Sequence, residues 1–165
     1  MTGRRTAILP SDRPAKLFFC GIGGSGMSPL AVLLTRRGHR VHGSDRAFDG
    51  HPPPDAARAL RAEGVGLHPQ DGSGLDRDMD ALVVSSAVEP NVPDVRAAVE
   101  RGVPVVKRAQ LLAELFNSAR GIAIAGPRGK STGTGMVGHI LRTTGGPPTV
   151  VNGARMMFSG REPFP

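Results

Sequence analysis

The apolar run Leu17-Phe18-Phe19-Cys20 ends directly in Gly21-Ile22-Gly23-Gly24-Ser25-Gly26, and an amphipathic stretch follows at once. Few backbones accommodate that order. A short, continuous apolar run bounded by glycine reads as a strand buried on both faces. The glycine turn then redirects the chain into a helix predicted over Ser25 to Arg37. Its inward positions are Met27, Leu30, Ala31, Leu33 and Leu34. Pro29 falls in the first turn, where proline is least harmful, and Gly38 is the predicted stop. Strand, glycine turn and helix in succession open a parallel α/β unit.

The same order returns further along. Ile122-Ala123-Ile124-Ala125 is a predicted strand, and Gly126-Pro127-Arg128-Gly129-Lys130-Ser131-Thr132 follows it. The two loops differ in chemistry. The first has no lysine and suits the diphosphate of a bound nucleotide. Gly21 permits the turn, Gly23 lets the backbone approach the diphosphate, and Gly26 allows the helix to pack closely. The helix N-terminus offers free N–H groups to an anion. Asp45, at the end of the second predicted strand, stands where a ribose-binding carboxylate is expected. In the second loop, Lys130 suits the β- and γ-phosphates of ATP. Backbone N–H groups from Gly126 to Ser131 suit the phosphate oxygens, and the Ser131 hydroxyl suits magnesium. Its spacing, G-x-x-G-K-[ST], is shorter than the usual G-x-x-x-x-G-K-[ST]. Arg128 either adds charge at the phosphates or is a solvated loop residue.

Between the loops, apolar runs and helical patterns alternate. Strands are predicted at Arg40–Gly43, Val65–Leu67, Asp80–Ser85 and Val103–Val106. Helices are predicted from Ala56 to Glu63 with Asp55 as N-cap, from Asn91 or Pro93 to Arg101 with Gly102 as stop, and over Arg108–Phe116. His68 to Asp78 reads as a polar loop. The predicted fold class is therefore α/β: a Rossmann-like, mostly parallel sheet with helices on both faces, followed by the start of a P-loop ATPase-type domain. The expected organisation is a flexible arm at 1–15, a nucleotide-binding domain at 16–117, a linker at Asn117–Arg120, and an incomplete ATP-binding domain at 121–165.

Composition narrows the partners. A length of 165 residues holds one α/β domain and the beginning of another. The formal charge of +7 suits phosphorylated ligands, anionic membranes or nucleic acid. Nucleic acid is disfavoured because Trp and Tyr are absent and the six Phe do not interleave with Arg or Lys. No apolar run reaches the ~20 residues of a membrane span, and no signal peptide is evident, so a cytoplasmic protein without membrane insertion is expected. The single cysteine, Cys20, excludes an internal disulfide and reads as a buried thiol. The five histidines have no metal-like spacing.

Five segments together carry a family likeness. They are Phe19 to Ser28, Gly43-Ser44-Asp45, Val84-Ser85-Ser86-Ala87-Val88, Arg108 to Leu115, and Gly126 to Thr132. In this order they resemble the N-terminal half of the Mur ligases, over about Leu17 to Gly153. The resemblance implies ATP-dependent joining of L-alanine or a peptide to UDP-N-acetylmuramate through an acyl phosphate. It implies that Gly21, Gly23, Gly24, Ser25 and Gly26 line the UDP-sugar diphosphate, with Asp45, Ser85 and Ser86 at the nucleotide's edges. It implies ATP and Mg2+ as cofactors, bound by Gly126, Gly129, Lys130, Ser131 and Thr132, with Lys130 catalytic and Ser131 at the metal. The family loop usually reads Gly-Thr-His-Gly-Lys-Thr-Thr-Thr, whereas Pro127, Arg128 and Gly133 stand here. Proline removes one N–H from the cradle, and glycine weakens the helix's first turn. The family's later magnesium ligands and amino-acid-binding domain lie beyond this sequence, so the chain alone is expected to bind nucleotide without catalysing ligation. Two alternatives are an NAD(P)-binding Rossmann domain of an oxidoreductase or sensor, and a non-catalytic nucleotide-binding module.

Overall fold

Strand β1 (Lys16–Cys20) has four buried residues of five, and it sits at the centre of the sheet. The computed structural model describes residues 7–146 and 148–152. Around β1 lie β2 (Arg40–Ser44), β3 (Gly66–His68), β4 (Ala81–Val84) and β5 (Val105–Lys107), in the order β3-β2-β1-β4-β5. Every pairing is parallel, with Cys20 opposite both Ser44 and Val84. All five strands therefore end on one edge, and chain order reverses between β1 and β4. Ligands of open α/β sheets bind at such a reversal.

Strand alternation divides the core in two. Leu17 and Phe19 join Leu30, Ala31 and Leu34 of α1 (Ser28–Arg36), Leu60 of α2 (Asp55–Ala62), and Leu111 and Leu115 of α4 (Arg108–Asn117) on one face. Phe18 and Cys20 join Ala97 and Ala98 of α3 (Pro93–Arg101), with Leu75 and Met79 from the connecting loop, on the other. Helices cover both faces of a parallel sheet, as the alternating sequence pattern predicts.

Several local readings shift. Helix α1 begins at Ser28 rather than Ser25, because residues 21–27 form successive turns. Asp55 is the first residue of α2, and Pro54 occupies the cap position. Strand β5 starts after Pro104, whose missing N–H cannot join a ladder. The predicted strand at 122–125 does not form: those residues pair with no strand among the described residues, and Ile122 is 66% exposed. Apolar alternation alone cannot make a strand without a neighbour to complete its ladder.

The expected looseness of residues 1–15 does not hold for the described part. The N–H groups of Ile8 and Leu9 donate to the two carboxyl oxygens of Glu114 on α4, at 3.0 and 2.7 Å. Ala15 is fully buried, and its N–H donates to His39 Nδ1 at 3.0 Å. Arg13 pairs with Asp80 at the surface. An exposed pair is screened by solvent and contributes little, so burial of Ile8, Leu9 and Ala15 does more to hold the segment.

Candidate functional site

The first glycine loop spends its early N–H groups inward. Gly21 and Ile22 both donate to the Ser44 carbonyl, at 2.8 and 3.0 Å. Gly23 donates to Asp45 Oδ2 at 2.8 Å. Gly24 closes a turn onto the Gly21 carbonyl at 3.2 Å. Gly21 has φ 75°, which a side chain would strain, so the turn off β1 depends on glycine here. The next two N–H groups, on Ser25 and Gly26, find no acceptor among the described residues. Both belong to the outer part of the loop, where Ser25 is exposed.

A cation lies beside them. Lys107 N–H donates to Gln110 Oε1 at 2.8 Å, which starts α4 with Arg108 at its first position. The Arg108 guanidinium rests against Gly26: a Cβ built there would meet Nη1 at 2.8 Å. No hydrogen bond or ion pair to Arg108 occurs among the described residues. Two free N–H groups and an unpaired guanidinium at one point make a receptor for an anion with several oxygens.

Across the β1/β4 reversal, the turn after β4 faces the loop, and Val88 Cγ2 lies 3.6 Å from a Cβ built on Gly21. Ser85 caps this turn, its Oγ accepting the Ala87 N–H at 3.3 Å, and Ser86 is exposed. Ser85 and Ser86 are thus on the same edge as Gly21 to Gly26.

Asp45 is occupied by the protein. Oδ2 accepts Gly23 N–H, and Oδ1 accepts Ala47 N–H at 3.0 Å, capping a 3-10 turn at Arg46–Phe48. The Phe48 ring lies on Gly23, whose built Cβ would meet ring carbon Cζ at 2.8 Å. Asp45 therefore shapes the loop, and Phe48 fills the space between the loop and the end of β2. Sequence reasoning missed Phe48, Asp94 and the pairing of His42 with His68, whose Nδ1 and Nε2 are 2.9 Å apart. The position of Phe48 just past Gly-Ser-Asp was a weak available signal. Burial holds His42 below the ordinary imidazole range, with His68 next in effect.

Cys20 is buried beneath the loop. Burial first, and Asp94 second, push its thiol up to about 12, so it stays protonated and inert. No group of three or more His, Cys, Asp or Glu able to hold a metal occurs among the described residues.

In the second loop, Gly129 has φ 75° and α5 (Lys130–Thr143) starts immediately after it. Lys130 Nζ folds back onto the carbonyls of Gly126, at 2.6 Å, and Pro127, at 3.4 Å. The first N–H groups of α5 precede its earliest internal bond, from Gly133 to Gly129 O at 2.8 Å, so they remain available to an anion. Asn152 donates to the Ser131 carbonyl at 3.0 Å, which leaves the Ser131 hydroxyl to other partners. This donor set, a lysine, a hydroxyl and helix-terminal N–H groups, fits an ATP phosphate chain with a magnesium ion.

Fold and first loop together define a parallel α/β domain with free loop N–H groups at a strand-order reversal. Residues 16–120 match the family model described as "Mur ligase family, catalytic domain", and the chain belongs to the Mur ligase family. It is 43% identical over 140 residues to the UDP-N-acetylmuramate–L-alanine ligase of Nitratidesulfovibrio vulgaris, covering 85% of this chain and 30% of that one. Among solved structures it resembles the UDP-N-acetylmuramate-alanine ligase of Thermotoga maritima. That match has a TM-score of 0.68 at 28% identity, over 78% of this chain and 29% of the other. It likewise resembles a murein peptide ligase of Psychrobacter arcticus, with a TM-score of 0.68 at 30% identity, over 79% and 27%. The chain thus spans about 30% of the length of the curated relative.

Proposed function

We propose that this chain is the N-terminal portion of an ATP-dependent ligase of peptidoglycan precursors, and that its first loop binds the diphosphate of UDP-N-acetylmuramate. The free N–H groups of Ser25 and Gly26 beside the unpaired Arg108 guanidinium carry this reading. In it, these three groups take diphosphate oxygens at the β1/β4 reversal, Gly21, Gly23 and Gly24 shape the approach, and Ser85 and Ser86 meet the nucleotide from the β4 side. Asp45 acts mainly by holding Gly23. A cytoplasmic location goes with the substrate.

At the second loop, Lys130 and the N–H groups of Gly129, Ser131 and Thr132 would hold the phosphates of ATP, and Ser131 would meet magnesium. ATP supplies the phosphoryl group that activates the sugar's carboxylate for attack by the amine of L-alanine or a peptide. Lys130 must leave the carbonyls of Gly126 and Pro127 to take up phosphate. Pro127 offers the cradle no N–H, so Arg128 is the loop's remaining source of extra positive charge.

The nicotinamide alternative requires adenosine ribose beside Asp45. The Phe48 ring packs on Gly23 next to Asp45, and both Asp45 oxygens already accept N–H groups, which disfavours that reading. Calorimetric titration with UDP-N-acetylmuramate, NAD and Mg-ATP tests the assignment. The UDP-sugar is expected to bind, and Arg108→Ala is expected to weaken it about 10- to 100-fold, the range for a lost charge-assisted contact. Tight NAD binding without a response to the UDP-sugar would overturn the reading.

A further inference from the structure

We infer that Asp94 is a positioning residue for the first phosphate loop: it fixes the loop through Ser44 and thereby sets affinity for a nucleoside diphosphate that it does not touch. This rests on the reading of that loop as a diphosphate site. Asp94 lies in the first turn of α3 and is fully buried. Its two carboxyl oxygens serve two different segments. Oδ2 accepts the hydroxyl of Ser44, the last residue of β2, and Oδ1 accepts the N–H of Gly72 at 2.9 Å.

Ser44 is also fully buried, and it is the hinge of the arrangement. Its carbonyl accepts the N–H groups of both Gly21 and Ile22. The adjoining Asp45 accepts that of Gly23. Three consecutive loop donors thus end on two consecutive residues, and the side chain of the first is held by Asp94. Rotation of the Ser44 peptide would redirect all three bonds. It would also turn the following N–H groups of Ser25 and Gly26, which the diphosphate needs outward.

The Gly72 side of the link reaches the loop from below. Arg101, at the far end of α3, donates to the Gly72 and Leu75 carbonyls, so α3 grips that turn from both ends. Gln70 in the same connection donates to Cys20 Sγ at 3.5 Å, directly before Gly21. Asp94 thus bonds to both the β2 terminus and this connection.

The test uses the full 165-residue chain, with UDP as probe and calorimetry as readout. Variants are Asp94→Asn, Ser44→Ala and the double substitution, with Leu82→Val as a core control on the same sheet face. Asp94→Asn keeps the shape but cannot accept at both oxygens. We expect about a 5- to 20-fold weaker UDP affinity for each single variant. The double variant should lose little more than the larger single loss, because both act through one link. The Leu82→Val control, destabilised to a similar melting temperature, should bind within about twofold of wild type.

Asp94→Asn and Ser44→Ala binding UDP as wild type does, or losses that add fully, would overturn the inference. If the wild-type chain does not take up UDP, the reading of the site fails instead. Amide hydrogen exchange then decides the link. It predicts faster exchange at Gly21 and Ile22 in Asp94→Asn and not in Leu82→Val; unchanged exchange at both would overturn it.

Discussion

The two glycine loops follow one local grammar and end in different physical states. The first leaves a central strand buried on both faces, and each of its first four N–H groups has an acceptor. The second leaves an extended segment with no strand partner among the described residues. Its lysine bonds to the loop's own carbonyls, and Met136 and Ile140 of the following helix are 62% and 55% exposed. Glycine placement gives both loops their turns and helix starts. Rigidity comes from the sheet and from long-range acceptors such as Ser44 and Asp45, which the second loop lacks among the described residues.

The largest expected effect separates the regions by hydrogen exchange. Amides of β1, β2 and β4 should be protected on the order of 10⁴-fold or more, as for core strands that exchange by global unfolding. Amides of α5 should show roughly 10- to 100-fold protection, because an isolated helix of this length is marginal. Equal protection in the two regions, measured by NMR, would break the comparison.

Single methyl groups should then act with opposite sign. A Cβ on Gly43 would lie 2.6 Å from the Phe19 carbonyl oxygen and 2.7 Å from Ile22 Cδ1, inside the packed sheet. Gly43→Ala should destabilise the first region by about 2 to 3 kcal/mol in urea unfolding. On Gly133, in α5, the nearest atom is Ile124 Cγ2 at an ordinary 3.4 Å. Gly133→Ala should raise helix content by circular dichroism, with a gain of about 0.5 to 1 kcal/mol. A stable Gly43→Ala would show the sheet to be looser than its contacts imply.

The smallest effect is acid sensitivity confined to the first region. Burial lowers the pKa of His39 and of His42 below 6.5; Arg37 adds to the first, and His68 and Lys16 to the second, against Asp76 and Asp78. The unfolded chain then takes up these protons first as pH falls. Stability from the neutral rings is complete above the ordinary 6.5 and declines below it, towards the folded-state values. Protonated His39 could no longer accept the Ala15 N–H at Nδ1. Melting temperature should therefore fall between about pH 7 and pH 5, while the helical signal of α5 stays level. A melting temperature constant over that range would sink the assignment. The Asp80 carboxyl, held below 3.8 by its hydrogen bond to Arg13, acts only in a more acidic window.

Much of the first region was legible along the chain because its determinants are local. Leu17 to Cys20 announce a doubly buried strand, and Gly38 and Gly102 end helices where predicted. What the pattern could not reveal depends on distant partners. Glu114 anchors Ile8 across 106 residues of sequence, so the N-terminal arm read as loose. His42 and His68 meet only because β2 and β3 are neighbours. Asp45 stood out as a ribose ligand by position, yet its oxygens face protein N–H groups. The reverse error occurred at 122–125, where local alternation suggested a strand that needs a partner to exist.

Phe48 has a consequence for anyone redesigning this scaffold. The ring packs on Gly23 beside the end of the second strand, so any bulky group brought to that point must displace it. Retargeting the domain to a dinucleotide would begin with excavation at Phe48 and release of Asp45 from Gly23, before any new contact was added.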